Sequence, residues 1–278
     1  MLDDWIYNSP TWLSSGVFIL CGIVVAGVVV VVMTWLIGAE SRHAHNEVTA
    51  MTVANIAVLY TVLLAFIAVA AWESLSKASD IAGAEAGIVQ DLYVDSQGLS
   101  DKELTKKLQN ELRGYIDAVV NSEWPEQQGG GLSRAAAPVL RDVRATLASL
   151  EPKTTGDGIV MQEMLRSLNE LYETRRSRLD AVGGHIPDAV WWVVIFLGGL
   201  TIAFTGLLGM RSRWMHFALA AGLTTAIVVV VSMIVQLDYP FRGEISVSAD
   251  PFRQVLKDVR QESTVGSTDR SGVQATRD

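Results

Sequence analysis

The sequence predicts an all-α membrane protein, with four transmembrane helices in two pairs flanking a helical soluble insert. Three observations carry that prediction. Four apolar segments are long enough to cross a bilayer, the stretch between the second and third is polar, and that stretch repeats its apolar residues at three- and four-residue steps.

The segments run from Gly16 to Ile37, from about Val48 to Trp72, from Ala189 to Met210 and from Trp214 to Leu237. A hydrocarbon core about 30 Å thick needs ~20 residues of helix, and each segment supplies them. None contains Asp, Glu, Lys or Arg. The valine-rich run between Ile23 and Val32 would suit a strand in water, but a lipid-exposed strand outside a closed barrel leaves its backbone groups unpaired. The chain divides into an N-terminal flank (1–15), a first transmembrane pair (16–72), the insert (73–188), a second pair (189–238), a C-terminal segment (239–262) and a tail (263–278). The tail is rich in Ser, Thr, Gly and Asp and is expected to be disordered.

Aromatic residues mark the span ends, as expected of rings that sit at headgroup level. Trp12, Trp72, Trp191, Trp192 and Tyr239 fall at one face of the membrane, Trp35 and Trp214 at the other. Both termini and the insert then share a side. Charge leaves the sidedness open: Arg42, Arg211 and Arg213 in the short hairpins compete with Lys77, Arg175, Arg176, Arg178, Arg242 and Arg253 on the insert side. The first apolar run is too long for a signal peptide and lacks a basic flank, so it is expected to stay as an anchor.

The insert reads as helix throughout. No proline interrupts the second span, and Ala78, Ile81, Ala82, Glu85, Ile88, Val89 and Leu92 continue it at helical spacing. One helix from about Glu47 to Tyr93 would be ~70 Å long. Ser100 and Glu103 have the spacing of a capping box before Leu104, Leu108, Leu112, Tyr115, Ile116 and Val119. That helix is expected to end near Glu123, Trp124 and Pro125. Shorter helices are expected around Val139 to Leu150 and from Ile159 to Leu179, with Pro187 opening the third span.

Composition excludes more than it assigns. A net charge of −8 and a pI near 5.1 argue against a nucleic-acid binder, which needs a basic face. Cys21, the lone cysteine, lies inside span one and forms no intramolecular disulfide. His43 and His45 with Glu40 and Glu47 make the densest group of potential metal ligands, but imidazoles two residues apart do not share a helix face, and a solvated turn is the expectation. Glu123 and Glu126 beside Trp124 read as acids of a surface loop. No phosphate loop, nucleophile elbow or zinc-protease helix is present. An enzyme, a cofactor and a metal centre are not expected.

Span two carries information beyond hydrophobicity. Ala50, Ala54, Ala57, Thr61, Ala65 and Ala68 form a small-residue stripe that lets another helix approach closely. About 100° around the helix lie Met51, Asn55, Val58, Val62, Phe66 and Val69. Asn55 either bonds a neighbouring helix or faces a cavity, and the bulky stripe either packs or lines a narrow apolar pore.

Leu63-Leu64-Ala65-Phe66 followed by Trp72-Glu73 resembles the pore helix of the bestrophin anion channels. Asp238-Tyr239-Pro240-Phe241-Arg242-Gly243 after span four, then Asp250-Pro251-Phe252, resembles the Pro-Phe-Gly segment found there in bestrophins. Asn46-Glu47, Glu123-Trp124 and the Arg175-Arg176-x-Arg178-Leu179 run extend the resemblance to a bestrophin-like family of bacterial membrane proteins, from His45 to Phe252.

The resemblance implies a pentamer in the inner (plasma) membrane, with insert and termini cytoplasmic. Span two of each subunit would line a pore for small anions, with a neck at Val58, Val62 and Phe66 and with Asn55 on the same stripe. Lys77, Arg175, Arg176 and Arg178 are candidates for an anion-attracting vestibule, against the plainer alternative that a basic helix end serves its own dipole. The animal channels bind calcium through an acidic cluster after span four. Here only Asp238, Glu244 and Asp250 occur in that region, widely spaced, so no calcium switch is expected. Trp72, preceded by Ala70 and Ala71, stands where bestrophins have Arg-Trp-Trp, which removes that basic residue. Besides membrane lipid, copies of the chain and small anions, no partner is implied. A non-conducting scaffold, or a sensor whose helical domain binds a partner, is the alternative.

Overall fold

The computed structural model describes residues 2–37, 45–210 and 212–261. Among them every regular element is helical: α1 (Leu2–Asn8), α2 (Thr11–Leu36), α3 (Asn46–Ser96), α4 (Lys102–Ala118), a π-helical turn (Val119–Glu123), α5 (Trp124–Gln128), α6 (Ala136–Ala148), α7 (Thr155–Asp180), α8 (Asp188–Gly206), α9 (Arg213–Asp238) and a final helix, α10, over residues 250–261. His43, the hairpin arginines Arg42 and Arg211, and the tail after Gln261 lie outside the described residues.

The chain forms two compact units, Met1–Leu75 with Gly184–Ser246, and Ser76–Gly183 with Val247–Asp278. The first holds the four apolar spans, in α2, α3, α8 and α9. Glycine and alanine set its closest approaches. Ala26 of α2 is fully buried, and a Cβ on Gly22 would come within 2.9 Å of Val228 in α9. A Cβ on Gly27 would lie 3.2 Å from the Phe217 ring of the same helix. Such small residues let van der Waals packing replace the hydrophobic driving force that lipid removes. α3 enters the core with Tyr60, Leu64, Ile67 and Ala71, packed with Val194 of α8 and with Ile234 and Leu237 of α9.

The chain's start shows two features that the sequence reading leaves unspecified. The N-terminal flank is helical as α1, and its Tyr7 hydroxyl donates to the Val235 carbonyl at 2.7 Å. The helix that holds the first span begins at Thr11, since Pro10 pre-sets the φ of a helix start and Trp12 and Leu13 continue the apolar run.

In the second unit α4 packs on α6, burying Leu108, Leu112, Tyr115, Leu140, Val143 and Leu147. Its cap differs from the expected Ser100 box. Asp101 is the N-cap, accepting the Leu104 N–H at 3.1 Å, while the Ser100 N–H donates to Asp157 at 2.9 Å. α7 starts earlier than expected because Thr154 and Asp157 form the capping box there. Asp157 also accepts the Lys153 and Thr154 amides, at 3.1 and 3.0 Å.

The Ser100 amide is the largest influence on the Asp157 carboxyl. With the further bonds from Thr154 and Lys153 it outweighs burial and brings the group down to about 2. The unfolded value is about 3.9, so the folded state favours the ionised form. Its stabilisation is complete above about pH 4 and is lost as pH falls towards 2. Thermal melting at pH 7 and pH 3 should therefore show Asp157→Asn destabilised at neutral pH and less acid-sensitive than the parent. An unchanged acid response would remove Asp157 as a contributor.

Candidate functional site

The bulky stripe of α3 faces away from its own chain. Val58, Val62 and Phe66 are 63%, 49% and 72% exposed, whereas Tyr60, Leu64 and Ile67 on the opposite side are 3%, 5% and 8% exposed. Met51, Asn55, Val69 and Trp72 are exposed with the stripe, and Asn55 makes no side-chain hydrogen bond to any described residue. A helix of period 3.6 that buries one stripe leaves its opposite stripe bare. Ala54, Thr61 and Ala65 on the small-residue stripe are also exposed. The Thr61 hydroxyl donates to the Ala57 carbonyl at 2.8 Å, so this stripe presents methyl groups with its own polarity satisfied.

In the same unit the segment after α9 is built around Asp238. This buried carboxylate accepts the His185 and Ile186 amides, both at 2.9 Å, and so ties the end of α9 to the start of α8. Pro240 and Phe241 are buried behind it, and Gly243 adopts a left-handed φ of 82° that a side chain would resist. Arg242 is stacked between Tyr7 and Tyr239, with ring centroids 4.8 and 5.7 Å from its Cζ. Glu244 accepts the Thr11 amide at 3.1 Å and its hydroxyl at 2.5 Å, capping α2. Asp238 and Glu244 are thus each engaged within the protein. In the second unit Asp250 is engaged too, by Ser248 at 2.8 Å and Arg253 at 3.1 Å.

The second unit encloses a charge cluster drawn from α3, α4, α5, α7 and the π-turn. Arg178, fully buried, donates to Glu85 from Nε at 2.7 Å and from Nη2 at 3.1 Å, to Glu123 at 3.0 Å and to the Gln127 amide oxygen at 3.0 Å. Arg175 forks onto both Glu123 oxygens at 2.7 and 2.6 Å. The Tyr115 hydroxyl donates to Glu85 at 2.6 Å, and the Ala136 amide to Glu123 at 2.9 Å. Rings close the cluster: the Arg178 Cζ lies 5.5 Å from the Trp124 centroid and 5.9 Å from that of Phe252.

Burial pushes the Glu123 carboxyl up, but the Arg175 fork and the Ala136 amide outweigh it and hold the group below its usual range. Burial opposes the charge on Arg178, and the Glu85 carboxylate reverses that, raising the guanidinium above its ordinary value. Burial, then Glu85, drives the Tyr115 phenol well upward. Glu123, Arg175 and Arg178 are thereby held in their ionised forms, and the phenol in its neutral one.

Arg175 and Arg178 therefore stand in the interior of this unit, not at a solvent face, because two buried carboxylates claim their donors. Lys77 and Arg176 are exposed, Arg176 lying 3.8 Å from Asp180. Glu123, expected as a surface-loop acid, is fully buried. Glu85, Tyr115 and Gln127 were missed as members of the cluster. The signal for Glu85 was present: a carboxylate at a buried position of the apolar series Ala82, Ile88, Val89, Leu92 requires a cation.

Residues 20–252 match the family model of the Bestrophin-like domain. No curated protein matches the sequence. Among solved structures, a variant of a bacterial bestrophin homologue from Klebsiella pneumoniae is similar at a TM-score of 0.64 and 11% identity, over 88% of this chain and 99% of its own. A second variant of a Klebsiella pneumoniae bestrophin homologue gives 0.68 and 12%, over 90% and 99%. The crystal structure of a membrane protein variant gives 0.62 and 12%, over 88% and 97%. At these identities the likeness is one of fold.

Proposed function

Because the chain belongs to the bestrophin-like family, we propose that it forms a homopentamer in the inner membrane and conducts small anions through a central pore lined by α3 of each subunit. The observation that carries this reading is the bare stripe of α3. Val58, Val62 and Phe66 lie on one face of a span whose opposite face is packed on its own chain. Five copies around an axis would stack three apolar rings into a neck, and such a constriction gates by wetting and dewetting. Asn55 on the same stripe would offer an amide to an ion shedding water. The exposed small residues Ala54, Thr61 and Ala65 suit a close approach by a neighbouring subunit's helix.

In this reading the insert and termini are cytoplasmic, and the accessible cations Lys77 and Arg176 draw anions toward the pore. Arg175 and Arg178 hold the insert together instead.

Purified protein in anion-loaded liposomes tests the proposal. Phe66→Ala widens the neck and should raise flux about tenfold, equivalent to lowering the barrier by roughly 1.4 kcal/mol. Absence of flux in both the parent protein and this variant would sink the channel reading in favour of a scaffold. A cysteine in place of Gln128 tests sidedness, since labelling from outside intact cells would overturn the cytoplasmic placement.

A further inference from the structure

The membrane unit carries an apolar groove that the pore reading leaves unused. It lies between the end of α2 and the start of α9, has a volume of about 640 Å³, and is lined by Val30, Val31 and Trp35 on one side and Arg213, Trp214 and Phe217 on the other. Gly27 makes its floor: the Phe217 ring lies where a Cβ would come within 3.2 Å. Its one hydroxyl, on Thr34, donates to the Val30 carbonyl at 2.5 Å, so the walls are apolar.

One end of the groove is different in chemistry. Trp35 and Trp214 are 85% and 76% exposed beside Arg213, which forms no ion pair with any described residue. Indole rings seek the headgroup level of a bilayer, and a guanidinium there meets phosphate oxygens as a planar fork. An apolar trough with two indoles at its mouth, beside a cation that pairs with no described residue, is complementary to an acyl chain ending in an anionic headgroup.

We infer that this groove is a site for an anionic phospholipid, with an acyl chain along Gly27, Val31 and Phe217 and the headgroup phosphate on Arg213. The inference requires α2 and α9 to cross the bilayer and is independent of whether the protein conducts.

The test is native mass spectrometry of the full chain purified into detergent with phosphatidylglycerol or phosphatidylcholine, counting lipid retained per chain. Preferential retention of phosphatidylglycerol is expected. Arg213→Gln should lower that retention about fivefold, the factor expected of one basic residue facing an anionic headgroup. Val31→Trp, which fills the trough from a lipid-facing position, should release both lipids. Equal retention of the two lipids, or retention indifferent to either substitution, overturns the proposal. So does a disulfide joining copies of a Cys21→Ser, Val31→Cys chain, which would put a second copy in the groove.

Discussion

Arg178→Leu is expected to cost the second unit about 3–5 kcal/mol, the penalty for removing one partner of a buried ion network. That is much of the stability of an ordinary domain. The loss is large because Arg178 serves Glu85, Glu123 and Gln127 at once, and Glu85 has no other cation among the hydrogen bonds it accepts. Limited proteolysis between Ser76 and Gly183, with helix content by circular dichroism, would read it. Arg178→Lys should also be destabilising, since an ammonium keeps the charge but cannot reproduce the planar fork. The discriminating variant is the double substitution Arg178→Leu with Glu85→Leu. Removing the stranded carboxylate should recover part of the loss, so the pair costs less than the sum of its singles. Strict additivity would overturn the network account.

The second large effect is expected at Asp238. Asp238→Ala leaves the His185 and Ile186 amides without their acceptor in a buried corner and should cost about 3 kcal/mol. Asp238→Asn keeps a carbonyl oxygen in place and should cost about 1 kcal/mol, the difference between a charged acceptor and a neutral one. Thermal melting in detergent separates the two. Equal melting temperatures for the parent and Asp238→Ala would remove the carboxylate as the tie between α8 and α9. Space at this corner is already tight, since a Cβ on Gly184 would lie 3.0 Å from Tyr239 and 3.1 Å from Asp238.

The helical architecture was legible because its causes are local. A bilayer imposes a length and an apolar composition on each span, and both can be counted along the chain. The absence of proline between Asn46 and Ser96 sufficed to anticipate α3 as one helix. Its faces were legible too, since periodicity alone put Val58, Val62 and Phe66 on one side. The ends were less so. Ser100 and Asp101 are adjacent capping residues, and the choice between them was made by Asp157, far along the chain, which takes the Ser100 amide.

The charge cluster was not legible for the same reason at larger scale. Arg178 meets Glu85 across 93 residues and Glu123 across 55. No periodicity records such a pairing, and Arg175, Arg176 and Arg178 at a helix end look alike in sequence. They differ in azimuth on α7: Arg175 and Arg178 share the inward face, and Arg176 points outward.

The cluster also constrains how this chain can change over generations. Its two acids and two bases cancel, so any single replacement that alters charge at position 85, 123, 175 or 178 strands an ion in the interior, whereas matched replacements do not. The surface of the insert can drift residue by residue. These four positions can be exchanged only in concert, which makes them a single inherited unit scattered over ninety-odd residues of sequence.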